Sequence, residues 1–403
     1  MKYIVVLADG MADEPIKSLG GKTPLEYANT PMMDSLASRG QMGMVKTVPY
    51  GMKPGSDVAN LSVLGYNPIL CYSGRSPLEA LSIGVPMEND DVIFRCNLVT
   101  LTEEEQYECK RILDHSSGEI STEDADVLMD NVRRLFANKH FSFYTGTSYR
   151  HIAIWKNGQL LDFEPPHDHL GEQIGDYLPK NDVFKQMMIE SFDLLNDHPL
   201  NIRRKEQGIN KANSIWFWGA GTKPNLRNFQ EKTGLSGAMI SAVDLLKGIA
   251  VGIGMEVIHV PGATGSLHTN YWGKARAATD ALLKNGHDFV YVHVEAPDEM
   301  GHQGNISDKI RSIEYIDERI IAPILQTMDA AAEEYRILIL PDHPTPIRLR
   351  THTADPVPYL MFDSRYHNRK IAHFSEFEAE KTGNFIANGY TLIENLIGGL
   401  NRG

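Results

Sequence analysis

Cysteine is scarce in this chain: Cys71, Cys96 and Cys109 are all there is in 403 residues. Three scattered cysteines cannot build a disulfide framework, and none has C-x-x-C spacing. This suits a reducing, cytoplasmic setting. No apolar run approaches the roughly 18 residues that a membrane-spanning helix needs. The apolar stretch at 3–8 is ended by Asp9 and is too short for a secretory leader. Basic charge is also in deficit. Lys and Arg number 39 against 52 Asp and Glu, a net charge of −13. That excludes a general nucleic-acid binder, which needs a basic footprint, but not a local basic pocket for a small anion. There is no GxxxxGK[ST] phosphate loop and no kinase-type Gly-rich loop. Internal repeats and low-complexity tracts are absent as well, and nothing in the sequence encodes an oligomeric state.

What is present is enough for a sizeable core: 42% hydrophobic residues and 23% charged. The length suggests two domains. The runs KYIVVLA (2–8), SIWFW (214–218), GAMIS (237–241), MEVIHV (255–260), FVYVHV (289–294), YRILIL (335–340) and PVPYLMF (356–362) read as buried strands. Helical spacing falls at 242–252, 269–284, 308–328 and 384–396. Strand–helix alternation with continuously apolar strands predicts an α/β fold, a mostly parallel sheet with helices on both faces. From 87 to 212 the texture changes to VIFRCNLVT, TEEEQYECKR, STEDADVLMDNVRRLF, FSFYTG and HIAIWKNG. This predicts a smaller inserted α+β domain at 87–212 within a core domain of 1–86 and 213–403. The stretches IGVPMEND and HPLNIRRKEQGINKAN are its expected hinges. The tail GGLNRG is expected to fray.

The chemistry lies at the strand ends. KYIVVLA runs into Asp9. FVYVHV runs into VEAPDEMGHQGN, with Asp298 and His302 four positions apart. YRILIL runs into PDHPTP, with Asp342 and His343 adjacent, and His352 precedes the next strand. Each residue alone reads as a helix cap or a surface histidine. Together they are carboxylate and imidazole ligands for a metal, because a parallel sheet gathers the carboxyl ends of its strands in one crevice. A nucleophile candidate is Ser56 in KPGSDVANLSVLGY. It opens a helical pattern, and Ser is a preferred N-cap. The same position faces unpaired N–H groups and a positive dipole end, which suits a phosphoryl group.

The motifs LADGMAD, GSDVANLSVLGYNP, EAPDEMGHQG, PDHPTP and HTADPVP resemble the archaeal-type, 2,3-bisphosphoglycerate-independent phosphoglycerate mutases of the alkaline phosphatase superfamily. The likeness covers about 1–86 and 213–403 and weakens through 90–200. It implies two divalent ions, Mn2+ above all, with Zn2+, Mg2+ or Co2+ as other candidates. Asp298, His302 and His352 would hold one, and Asp9, Ser56, Asp342 and His343 the other. Ser56 would be the nucleophile, carrying phosphate between 3- and 2-phosphoglycerate, a small phosphorylated hydroxy acid. The inserted domain would close to exclude water. Arg150, Lys247 and Asp168 would serve substrate binding, although PPHDH around Asp168 departs from the family's pattern. A bacterial group with the same motifs, proposed to be homoserine kinases, is the alternative: FWGAGTKP and PGATGSLHTNYWGK resemble it.

Overall fold

The runs KYIVVLA, FVYVHV and YRILIL become the strands Lys2–Ala8, Phe289–Val294 and Tyr335–Leu340. The latter two are buried along their whole length. No face is left for polar alternation, as a sheet covered on both sides requires. The computed structural model describes residues 1–366 and 372–399. The chain separates into two units, Met1–Tyr72 with Asn225–Gly403, and Ser73–Pro224.

The first unit is built on eight strands in the order Phe385–Ile386, Gln41–Val45, Val357–Asp363, Tyr335–Leu340, Lys2–Ala8, Phe289–Val294, Gly237–Ile240, Glu256–Val257. Val357–Asp363 is antiparallel to both neighbours, and the other pairings are parallel. Ile4, Val6 and Ala8 share a core with Ala275 and Ala278 of the helix Tyr271–Leu283 and with Ile313, Ile320 and Ile324 further on. Arg336 points to the opposite face, where its guanidinium donates to Leu396 O and Ile397 O of the helix Leu392–Gly398. Helices therefore cover both faces. Ala8 pairs with Val294 and Leu7 with Leu340, so the three central strands end level. Asp9, Glu295 and Pro341-Asp342 must then emerge side by side.

The second unit has an antiparallel sheet. Its ten-residue central strand Val92–Leu101 is buried throughout. It is flanked by Ile112–Asp114 and Arg150–Trp155 and, on its other edge, by Ser214–Thr222; Phe141–Tyr144 pairs with Arg150–Trp155. Against one face lies an aromatic core of Phe94, Phe163, Phe184 and Phe217, with the Phe184 ring centroid 5.0 Å from Phe217 and 4.9 Å from Phe94. STEDADVLMDNVRRLF forms the helix Thr122–Phe136, capped by the Ser121 hydroxyl accepting from Asp124 N.

Several expectations need correction. SIWFW is not a strand of the parallel sheet: Ser214–Thr222 pairs with Val92–Leu101, Cys96 opposite Phe217. An apolar run announces a strand but not its partner. The expected edges at 86/87 and 212/213 consequently fall inside the second unit, which also takes in the helix Arg75–Ser82. HPLNIRRKE is not a hinge but the helix Pro199–Glu206, with Pro at its start and the His198 ring accepting from Leu200 N. Proline is suited to a first helical turn. In the stretch 384–396 only Leu392–Gly398 is an α-helix. A Cβ on Gly389 would meet Lys46 O at 2.7 Å, so that segment is pressed against neighbouring backbone. MEVIHV contributes only Glu256–Val257. Residues 400–403 of the expected frayed tail lie outside the described residues. Among the described residues no helix is long and apolar enough to cross a membrane.

Candidate metal centre and nucleophile

Level strand ends bring the sequence-distant acids together. Asp9, Asp342 and His343 form one group of potential ligands, and Asp298, His343 and His352 a second, with His343 common to both. Asp298 and His302 stand one turn apart on the helix Ala296–Gln303. His302 Nε2 lies 3.2 Å from Asp298 Oδ2, His352 Nε2 lies 3.4 Å from Asp298 Oδ1, and the two Nε2 atoms are 3.0 Å apart. His302 Nδ1 hydrogen-bonds Arg350 O at 3.0 Å. A donor at Nδ1 leaves the Nε2 lone pair aimed at the cluster, the arrangement in which histidine ligates metals.

Asp342 is held on every side. Its Oδ1 accepts from Gly10 N at 3.1 Å and His343 N at 2.9 Å, and its Oδ2 accepts from Asn60 Nδ2 at 2.9 Å. Gly10 has φ 62°, and a Cβ there would lie 2.6 Å from both Asp298 Oδ1 and Thr345 Oγ1. Only glycine allows that approach. Thr345 Oγ1 donates to Asp298 Oδ1 and lies 3.3 Å from His343 Nδ1.

Asp9 is 2% exposed, and its Oδ1 has no hydrogen-bond partner. Burial, and then the carboxylates of Asp342 and Asp298, push its pKa well above the usual carboxylate range. A buried carboxylate oxygen without a donor is costly unless a cation balances it. Asp298 behaves differently. Burial acts to raise it, but hydrogen bonds from His302 and His352 hold it well below the carboxylate range. His302 is pushed up to about 9 in return, chiefly by its bond to Asp298. Burial keeps His343 low. Buried carboxylate oxygens and imidazole nitrogens around an unbalanced charge fit divalent metal.

Ser56 is the first residue of the helix Ser56–Val63, with Gly55 as its N-cap, and no side chain caps this helix. The capping reading of Ser56 is thus excluded. Its Oγ lies 3.2 Å from His343 Nε2 instead, at the helix N-terminus where an anion is favoured.

All seven expected metal-site residues converge within the first unit. Lys247 pairs instead with Asp244 Oδ1 at 3.0 Å on the helix Asp244–Gly252. Arg150 and Asp168 belong to the second unit. There Arg150 opens its strand with its guanidinium 5.2 Å from the Tyr149 ring. Asp168 is largely exposed, 3.6 Å from His167 Nε2. Near them, Arg95 pairs with Glu79 and lies 4.6 Å over the Trp218 ring, and His167 meets that ring at 5.2 Å.

Sequence reasoning missed two residues. His293 Nε2 hydrogen-bonds Asp9 Oδ2 at 2.8 Å, and its Nδ1 lies 3.2 Å from Ser241 Oγ. Burial and then Lys274 hold it down to about 3, so it is a neutral group that orients Asp9. Asn60 bridges Asp342 and Tyr291 OH. The signal was a polar residue inside a buried apolar run, in FVYVHV and in DVANLSVL.

Comparison with known proteins gives the chain its relatives. The family model described as 2,3-bisphosphoglycerate-independent phosphoglycerate mutase matches residues 37–201. A 2,3-bisphosphoglycerate-independent phosphoglycerate mutase of Methanosarcina barkeri is 49% identical over 403 residues, 99% of this chain and 98% of that one. The solved PH0037 protein of Pyrococcus horikoshii is 31% identical with a TM-score of 0.81, covering 100% of this chain and 99% of that one. The solved cofactor-independent phosphoglycerate mutase of Thermoplasma acidophilum is 26% identical with a TM-score of 0.66, covering 99% of each. Identity of this order along essentially the whole of both chains leaves one conclusion: the chain belongs to the 2,3-bisphosphoglycerate-independent phosphoglycerate mutase family.

Proposed function

We propose that the protein interconverts 3-phosphoglycerate and 2-phosphoglycerate through a phosphoserine on Ser56, without 2,3-bisphosphoglycerate. The observation that carries this reading is the Ser56 hydroxyl beside His343, at a helix N-terminus and next to buried acids in need of a cation. Asp298, His302 and His352 would hold one divalent ion, and Asp9, Ser56, Asp342 and His343 a second. The mixed oxygen and nitrogen donors favour Mn2+ over Ca2+. Bound divalent ions would lower the pKa of the Ser56 hydroxyl and neutralise charge on the phosphoryl oxygens.

Ser56 Oγ attacks the phosphorus of 3-phosphoglycerate. The bond from phosphorus to the substrate's 3-oxygen breaks, and the serine proton ends on that oxygen. Glycerate turns in place, and its 2-hydroxyl takes the phosphoryl group back from Ser56 while returning a proton to it. Asn60 and the Gly10 N–H keep Asp342 aimed, and His293 does the same for Asp9. Water must be excluded while serine is phosphorylated, or the outcome is hydrolysis. The carboxylate of the substrate calls for a guanidinium, and Arg150 is assigned to it on its bidentate geometry. Lys247 would contact the phosphate, and Asp168 would be a further substrate-binding residue.

The test is conversion of 3- to 2-phosphoglycerate with added Mn2+ and neither nucleotide nor bisphosphoglycerate, beside a reaction holding homoserine and ATP. Turnover in the first alone is expected, abolished by a chelator and restored by Mn2+. Phosphorylation of homoserine alone would replace this reading with a kinase.

A further inference from the structure

The first unit contains a cavity of about 600 Å3 that the reaction does not use. That is a usual size for a small-molecule site. Among the described residues the charged side chains lining it are Asp13, Glu26, Glu376 and Glu380, with no Lys, Arg or His. Asp13 is neutralised from behind by Lys309 Nζ at 2.7 Å. Among the described residues no Lys or Arg is ion-paired with the three glutamates, and Lys381, which lies beside the wall, is paired with Glu378. Glu376 is the fixed one. Its Oε2 accepts from Thr23 Oγ1 at 2.6 Å and its Oε1 from Asp13 N at 3.2 Å. Each oxygen keeps a second lone pair. The rest of the lining includes Phe377 and Phe385, both more than half exposed. Exposed aromatic rings at a cavity are a binding feature rather than a packing one. The Phe377 face already attracts a cation, with Lys381 Nζ 3.8 Å from the ring centroid.

We propose that this cavity binds a small organic ammonium compound, its charged head on Glu376 and its apolar body on Phe377 and Phe385. Charge complementarity selects a cation: among the described lining residues an anion would meet only carboxylates, and a neutral ligand would leave Glu376 with no directly paired cation, since Lys309 acts on it only from behind Asp13. The aromatic walls select an organic cation over a bare metal ion, since they offer a π face and no ligand atom. The position is not isolated. Asp13, which donates to Glu376 through its N–H, also accepts from Ile347 N at 3.1 Å, and Lys309 Nζ reaches Thr345 O at 2.9 Å. The floor of the cavity is thus tied by hydrogen bonds to the segment that carries His343 and Thr345.

Phenethylammonium is the probe, with 2-phenylethanol and 3-phenylpropanoate as the neutral and anionic controls of similar size. Each is titrated into the full, metal-loaded chain by calorimetry and ligand-observed NMR. Burial pushes the Glu376 carboxyl up to about 6, so the titration is run at about pH 8, where the group is ionised. Saturable binding of the ammonium is expected, about tenfold or more tighter than the alcohol, with none for the acid. Glu376→Gln should erase the preference for the ammonium. Phe377→Ala changes only an exposed side chain, so the fold is kept, and it should weaken the ammonium several-fold with mutase turnover unchanged. Equal binding of ammonium and alcohol, no saturation up to about 10 mM, or unchanged affinity in Phe377→Ala would each overturn the proposal. The binding readouts need no turnover, so they stand apart from the proposed activity.

Discussion

The two units each bury a histidine in a strand, and they treat it differently. In the first unit both ring nitrogens of His293 have partners, Asp9 and Ser241. In the second, His151 Nδ1 accepts from Gly146 N at 3.2 Å, while its buried Nε2 has no hydrogen-bond partner. The contrast extends outward. The first unit stacks aliphatic strands and concentrates acids and imidazoles at their carboxyl ends. The second packs Phe94, Phe141, Phe163, Phe184 and Phe217 against antiparallel strands. A parallel sheet collects side chains from distant segments at one edge, and this is what a metal centre needs. An antiparallel sheet sends successive strand ends to opposite edges and is held by what lies on its face.

The largest effect expected from breaking this contrast is at Ser56. Ser56→Ala should lower turnover by about 10^4-fold or more, since the proposed phosphoryl carrier is gone. Gly55, not Ser56, is the N-cap, so circular dichroism should stay close to wild type; the hydroxyl is one of four proposed ligands to one ion and none to the other, so most metal affinity should remain. Mass spectrometry of quenched wild-type enzyme should find phosphate on Ser56; substantial turnover by the variant would mean direct transfer between substrates.

Next comes the aromatic core. Phe184 is fully buried among five rings. Phe184→Ala should destabilise the second unit by about 3–5 kcal/mol. Metal affinity, a property of the first unit, should not change. Trp155, Trp216 and Trp218 lie in the second unit and only Trp272 in the first, so tryptophan fluorescence during denaturation reads mainly the second. A parallel loss of metal affinity would show that the units do not stand independently.

His293→Ala frees Asp9 without touching a proposed ligand. Metal affinity should fall by about 10- to 100-fold, the usual consequence of losing an orienting partner, and His293→Gln should recover part of it. Unchanged affinity would reduce His293 to a packing residue.

The smallest effect is that of pH. Burial, the leading cause, holds His151 down to about 3 in the folded chain, whereas an unfolded histidine titrates near 6.5. Below about pH 6.5 only the unfolded state takes up the proton, so stability is present above that pH and is lost toward pH 3, by roughly 1 kcal/mol per pH unit. Fluorescence-monitored denaturation between pH 7 and 5 should show this slope, and His151→Asn should flatten it. A slope unaltered by the substitution would assign the acid sensitivity elsewhere.

The sequence by itself determined the main strands of the first unit and most of the candidate ligands. KYIVVLA, FVYVHV and YRILIL are strands covered on both faces, and an acid or imidazole immediately after such a run sits at its end. Asp9, Asp298, His302, Asp342, His343, His352 and Ser56 were therefore legible, and all lie together. Tertiary structure decided what those local rules do not encode. Which strand pairs with Ser214–Thr222 depends on contacts more than a hundred residues apart, and this moved the edges of the second unit to Ser73 and Pro224. That Asp9 keeps an unpartnered oxygen, that His343 belongs to both ligand groups and that His293 aims Asp9 depend on strand register and on burial. Burial is a property of the whole packed fold, because what strips water from a carboxylate comes from every segment around it.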